Sequence, residues 1–277
     1  MQVSAPAKIN LSFEIRHRRP DGYHEIETLM CPISLFDDVT ITKNDASPGI
    51  KFSCNDPTLP SDDGNLVVRA ARAYFASVAI EASVEINLRK RIPHGAGLGG
   101  GSSDAAATLL ALNEMHEQRL TRDQLAELGS EIGSDVPFFI FQSVAVCRGR
   151  GERVHPIAFT KKLRFLLFKP NFGVSTSWAY ERWRDSHELR EISYAPQNVD
   201  GIRLVNDLER SVFEKYVFLA QLKMWLRAQP EVGAALMSGS GATLFAILRE
   251  AADAEALAAR AKAELDPELW TCVCGIL

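Results

Sequence analysis

The chain has 277 residues, 46% hydrophobic and 24% charged, with a formal net charge of -4. Such a length holds one large or two modest domains around a substantial core, and the composition is that of a soluble globular protein. The acidic balance argues against broad binding to nucleic acid or to an anionic membrane, so neither is an expected partner.

No apolar run reaches the length of a transmembrane helix, and the opening MQVSAPAKIN lacks the apolar core of a signal peptide. The five cysteines form no zinc-type C-x-x-C pair, so reduced thiols and a cytoplasmic location are expected. From Val3 to Ile15 the odd positions are apolar, and the even ones include Lys8 and Asn10. Strict alternation predicts a half-buried strand with those two on its polar face. Pro20-Asp21-Gly22 supplies a turn before Tyr23 and His24, and ETLMCPISL, DDVTITK and GIKFSCN read as separate strands. NLVVRAARAYFASV is an amphipathic helix with Leu66, Val67, Ala70 and Tyr74 towards the core. ASVEINLRKRI reads as a strand entering a glycine-rich loop, with a helix in TRDQLAELGSEIG beyond it.

KLRFLLFKP reads as an apolar strand opening a second domain, giving domains 1–158 and 159–277. In the second, SVFEKYVFLAQLKMWLRAQ and EAADAEALAARAKAEL read as helices, ATLFAIL and WTCVCGI as strands, and MSGSGA as a loop of small residues. Strands and helices mix without strict βαβ alternation, so the fold class is α+β in two lobes.

Five of the seven residues from Gly95 to Gly101 are glycine. That density marks backbone in unusual dihedrals or lying against a ligand. A helix starting at Ser102 or Ser103 would present unpaired N–H groups and the positive end of its dipole to an anion. Gly95, Gly97 and Gly100 satisfy G-x-G-x-x-G, but a second helix follows where a dinucleotide fold needs a parallel strand. The P-loop lysine is missing after Gly101. The loop holds phosphate on this reading, and neither common motif explains it. Arg89, Lys90 and Arg91 precede it where an anion would profit, whereas Arg16 to Arg19 read as a solvated face. Asp135 reads as a helix N-cap with Pro137 in the first turn, a role that does not exclude catalysis.

PAKINL, DGYHEIETLM, PHGAGLGGGSSDAAA, GSDVPFF, GRGE, VNDLE and MSGSGATLFA follow one another along nearly the whole chain. Together they resemble the GHMP kinases, with PAKINL, the glycine loop and MSGSGATLFA similar to that family's three motifs. The resemblance implies a ribosomal-protein-S5-like amino-terminal lobe and a ferredoxin-like carboxy-terminal lobe. It also implies ATP as co-substrate with Mg²⁺. DGYH with the GLGGGSSDAA loop resembles the branch that phosphorylates a tertiary hydroxyl of a cytidine diphosphate polyol in isoprenoid precursor synthesis. By that resemblance Asp135 is the catalytic base and Lys8 its partner. Pro93, His94, Gly95, Ala96, Gly97, Leu98, Gly99, Gly100, Gly101, Ser102 and Ser103 bind the ATP phosphates. Asn10, Tyr23 and His24 frame the cytidine substrate, and Tyr180 stacks on its cytosine. Met30 stands where the family commonly has a second aromatic, and no side chain is assigned as a metal ligand.

The chemistry is coherent with these roles. A tertiary alcohol is a poor nucleophile, so a carboxylate must take its proton as attack on the phosphorus proceeds. The competing expectations are a GHMP kinase for mevalonate, phosphomevalonate or homoserine, a non-catalytic relative, and an RNA-binding protein built on the same lobe. An aromatic nucleobase clamp disfavours the small acids, and the negative charge disfavours RNA.

Overall fold

A computed structural model describes residues 1–44 and 47–277. The alternating amino-terminal segment forms β1 (Gln2–Arg18), paired antiparallel with β2 (His24–Lys43). ETLMCPISL and DDVTITK are thus parts of one strand rather than two. The register shift between Pro6 and Ala7, which pair with Phe36 and Ile33, takes up the join between the two segments.

The first lobe continues with β3 (Gly49–Cys54), α1 (Leu66–Val78), β4 (Ser83–Arg89), α2 (Gly100–Met115), α3 (Arg122–Ile132), α4 (Val136–Phe141), β5 (Ala145–Gly149) and β6 (Arg153–Pro156). The Asn65 side chain caps α1 by accepting from Val67 N, and Thr121 and Gln124 form a capping box on α3. The apolar faces of these helices, including Val67, Tyr74, Leu109, Leu112 and Phe138, pack on Val39, Ile41, Ile86 and Leu88 of the sheet.

The second lobe holds β7 (Arg164–Lys169), α5 (Thr176–Trp183), β8 (Gln197–Val199), β9 (Ile202–Asn206), α6 (Leu208–Lys215), α7 (Val217–Arg227), β10 (Val232–Met237), β11 (Leu244–Leu248), α8 (Ala254–Glu264) and β12 (Trp270–Gly275). Its antiparallel sheet runs β10-β11-β7-β12. The long helix read over SVFEKYVFLAQLKMWLRAQ is two, α6 and α7, because Tyr216 leaves helical geometry at φ -107 and ψ 68. The chain changes sheet between β6 and β7, then returns: β9 pairs parallel with β1 through Ser12↔Val205 and Phe13↔Asn206. The first sheet therefore runs β3-β4-β2-β1-β9-β8, with β5 attached at β2 and β6 at β5.

β1 is buried on both faces, not one. Ala7, Ile9 and Leu11 pack against Phe165, Leu167, Phe245 and Ile247 of the second sheet, forming a core between the lobes. On the opposite face Lys8 is only 4% exposed and Asn10 only 1%. The polar side of the alternation faces a cleft rather than bulk solvent. Among the described residues no helix is long and apolar enough to cross a membrane.

Candidate active site

A cleft of about 1170 Å³ lies over β1 and β2, bounded by the glycine loop on one side and by α5 and the MSGSGA loop on the other. The loop alternates. Ala96 and Leu98 bury their side chains in the core between the lobes, while Gly95, Gly97 and Gly99 take left-handed φ of 61°, 73° and 71°. Close approach explains two of these glycines. A Cβ on Gly97 would lie 2.2 Å from the Ser238 carbonyl oxygen, and one on Gly99 would lie 2.9 Å from Phe139 Cζ and 3.0 Å from Lys8 Cγ. The bare backbone thus lets the two loops and Lys8 close on one another.

α2 starts at Gly100, two or three residues before the expected start at Ser102 or Ser103, because left-handed Gly99 makes the entry turn. No side chain caps this terminus, and Gly100, Gly101 and Ser102 line the cleft. First-turn N–H groups and the helix dipole are therefore turned to the cavity, as an anion site requires. Ser103 is 1% exposed with its hydroxyl unpartnered, beneath the lining rather than in it. Pro93 to Ser102 all contribute to the lining.

Lys8 is held at three points. Its Nζ donates to Asn10 Oδ1 at 2.7 Å and to the Gly97 carbonyl at 3.0 Å, and its backbone N–H donates to the Leu98 carbonyl at 2.9 Å. Asn10 Nδ2 donates to Thr28 Oγ1, which donates on to the Ser12 carbonyl. That relay fixes the asparagine with its oxygen towards Lys8. Asp135 occupies the N-cap position of α4, with Pro137 in the first turn as expected, yet its side chain makes no capping bond. Instead Oδ2 lies 3.6 Å from Lys8 Nζ, and the Asp135 side chain is 33% exposed. The GRGE turn passes alongside: a Cβ on Gly151, at φ 113°, would sit 3.5 Å from Asp135 Oδ1.

At the other end of the cleft His24 stacks on Tyr180 at 5.3 Å and 22°, with Trp183 edge-on to His24 at 5.8 Å. Burial, then the Asp135 charge, pushes the Tyr180 phenol up. Burial, then the Arg18 charge, pushes the His24 imidazole down. Tyr23 is 55% exposed, with the Arg150 guanidinium 4.9 Å over its ring. Met30 lines the cleft from below at 1% exposure.

The basic cluster before the glycine loop is not a free cationic patch. Lys90 Nζ pairs with both Asp37 and Asp104, and Arg91 pairs with Asp38. Burial pushes the Asp104 carboxyl up to about 7; Lys90 opposes the shift and Asp37 adds to it. No local pattern could have found this triad, because Lys90 is 53 residues from Asp37 and 14 from Asp104. Thr28 and Gly239 escaped for the same reason. A Cβ on Gly239 would lie 3.2 Å from Asn10 Oδ1 and 3.4 Å from Lys8 Nζ, although only the smallness of its loop is visible in sequence. Arg16 and Arg19 are paired with neighbouring carboxylates, as a solvated face should be.

The chain matches two family descriptions, "GHMP kinases N terminal domain" over residues 65–143 and "GHMP kinases C terminal" over residues 183–266. It is 42% identical to the 4-diphosphocytidyl-2-C-methyl-D-erythritol kinase of Methylacidiphilum infernorum, over 99% of this chain and 96% of that one. The kinase of the same name from Citrifermentans bemidjiense is 39% identical, over 96% and 94%. A crystal structure of 4-(cytidine 5'-diphospho)-2C-methyl-D-erythritol kinase superposes with a TM-score of 0.79 at 35% identity, covering 99% of both chains. Homoserine kinase from Cytophaga hutchinsonii, at TM-score 0.74 and 17% identity over 100% of this chain and 94% of that one, shares the fold alone. A cleft that sets a half-buried carboxylate and a tethered lysine beside an uncapped helix terminus suits phosphoryl transfer, and by these likenesses the chain belongs to the 4-diphosphocytidyl-2-C-methyl-D-erythritol kinases, a branch of the GHMP kinases.

Proposed function

We propose that this chain transfers the γ-phosphoryl group of ATP to the 2-hydroxyl of 4-diphosphocytidyl-2-C-methyl-D-erythritol, a step of the non-mevalonate route to isoprenoid precursors. The observation that carries the reading is the Lys8–Asp135 pair, 3.6 Å apart and open to the cleft beside the glycine loop. Asp135 accepts the hydroxyl proton as the oxygen attacks phosphorus. Two of the three Lys8 Nζ protons are spent on Asn10 and Gly97, which leaves one for the carboxylate or the substrate hydroxyl. The N–H groups of Gly100, Gly101 and Ser102 receive the phosphates without reorganising. At the far end Tyr180, His24 and Tyr23 supply the aromatic surface for cytosine.

Among the described residues no cluster of three His, Cys, Asp or Glu could hold a metal ion alone. Mg²⁺ takes few protein ligands and keeps water and phosphate oxygens, so it needs no such cluster. The Ser102 hydroxyl, in the cleft lining, is the side-chain oxygen donor offered to it; when bound, it would neutralise phosphate charge.

The test is ADP release by the pure protein with three acceptors: the cytidine diphosphate substrate, mevalonate and homoserine. Turnover with the first alone is expected. Turnover with either small acid, and none with the first, would overturn the assignment.

A further inference from the structure

VNDLE has no place in the chemistry so far, yet nearly every polar atom in it is engaged. The Asn206 amide donates both its protons, to the Met237 carbonyl at 2.7 Å and to the Gly239 carbonyl at 2.8 Å. Its Oδ1 accepts from Leu208 N at 2.9 Å, starting α6. Glu209 accepts from Met237 N at 2.9 Å and pairs with Lys223. Asp207 ties the motif to β1, accepting from Ile15 N at 2.7 Å, while its own N–H donates to the Phe13 carbonyl at 2.9 Å.

The loop that Asn206 grips is the one that closes on Lys8. Ser238 Oγ donates to the Gly97 carbonyl at 3.0 Å, the same carbonyl that receives Lys8 Nζ. Gly239, at a left-handed φ of 54°, passes so close to Asn10 Oδ1 and Lys8 Nζ that a Cβ would lie 3.2 and 3.4 Å from them. Asn206 is 5% exposed and does not line the cleft, so it touches no reactant.

We infer that Asn206 is a positioning residue for phosphoryl transfer: by holding the Met237 and Gly239 carbonyls it presses the 238–241 loop onto Lys8, Asn10 and Gly97, and so fixes the lysine against Asp135. Lost anchoring lets Lys8 and the glycine loop drift apart, which costs the step that needs alignment more than it costs binding. The inference rests on the kinase reading above.

Asn206→Asp keeps the shape and the bond to Leu208 N but puts an acceptor against two carbonyl oxygens. At neutral pH, well below each protein's melting temperature, kcat per folded molecule should fall by about tenfold or more, the scale of losing such hydrogen bonds. KM for ATP and for the cytidine substrate should stay within about threefold of wild type on the same argument. As pH falls the variant's rate relative to wild type should recover, because a protonated carboxyl regains one donor. Asn206→Ala should show the loss without the recovery, and Asp207→Ala, which removes the acceptor for Ile15 N, should lower the melting temperature with kcat little changed. If Asn206→Asp does not fold, the split between kcat and KM in Asn206→Ala decides. An active wild type whose Asn206 variants lose only thermal stability would overturn the inference; an inactive wild type would instead overturn the kinase reading.

Discussion

Lys8–Asp135 and Lys223–Glu209 are both lysine–carboxylate pairs, and their surroundings give them opposite uses. In the second pair the side chains are 1% and 2% exposed and in direct contact. The second Glu209 oxygen is taken by Met237 N, and the Ser193 carbonyl lies 3.4 Å from Lys223 Nζ. Burial pushes the Glu209 carboxyl up, against the pull of Lys223. Nothing is left over to react. In the first pair the lysine is equally hidden, at 5%, but the carboxylate is 33% exposed and 3.6 Å away. A lysine tethered from behind and a carboxylate left short of partners suit proton transfer, whereas a sealed pair serves only to hold the chain. Enclosure of the carboxylate, rather than the charges themselves, separates the two.

The largest expected effect comes from opening the sealed pair. Glu209→Ala strands a buried ammonium and should cost about 3–5 kcal/mol in denaturant unfolding, the usual penalty for half of a buried pair. The double change Glu209→Met with Lys223→Met should recover most of that loss, because apolar side chains of similar volume often replace a buried pair at little cost. No recovery would mean that the Glu209 bond to Met237 N, rather than the charge balance, carries the stability.

The open pair should respond in rate rather than in stability. Asp135→Asn keeps the shape but cannot accept the proton, so the single-turnover rate should fall about a hundredfold or more. Substrate binding by calorimetry and the unfolding midpoint should stay near wild type. Unchanged turnover would remove the base from the mechanism.

These roles were unequally legible in the sequence. The motif order, the loop at Gly95–Gly101 and the apolar spacing of helices α1 and α3 are local patterns, and local geometry follows from them. The burial of Lys8 did not: alternation marks a polar face, and the glycine loop, Asp135 and the Gly239 loop close over that face from distant parts of the chain. The start of α2 was placed late because serine is the usual cap, whereas here a left-handed glycine makes the turn unaided. Neither the closeness of Gly239 to Lys8 nor the Lys90 triad has any sequence signature, since both join residues brought together by the sheets.

A carboxylate left short of partners leaves substrate binding to its neighbours. Tyr180 borders Asp135 closely enough for the charge to act on its phenol, yet its stacking surface lies towards His24. Tyr180→Ala should weaken binding of the cytidine substrate by about 1–3 kcal/mol, the range for base–aromatic stacking. Affinity for ATP should change little, because the glycine loop is separate. Met30→Phe, at 1% exposure, has no free space to grow into and is expected to strain the floor of the cleft rather than add a stacking face. Equal losses of ATP and cytidine affinity in Tyr180→Ala would show a general disturbance of the cleft instead of a lost clamp.

Lys90 with Asp37 and Asp104 is the intermediate case, enclosed like Glu209 yet with one carboxylate too many. Asp104 Oδ1 is buried without a partner, and the carboxyl is pushed from 3.8 up to about 7. A carboxyl whose pKa is higher in the folded than in the unfolded chain binds its proton more tightly when folded. Its stabilising contribution is therefore complete below about 3.8 and lost as pH rises through about 7. Across that window the group should make stability fall with pH, by at most about 1.4 kcal/mol per pH unit, the slope for one proton. Asp104→Asn removes the titration while keeping an acceptor for Lys90. Denaturant unfolding at pH 4.5 and 7 should show the variant gaining stability relative to wild type as pH rises, with Asp37 left as the single counter-ion of Lys90. An identical pH dependence in the two proteins would mean that Asp104 is already ionised in the folded chain at pH 4.5, and that Lys90 neutralises two buried carboxylates at once.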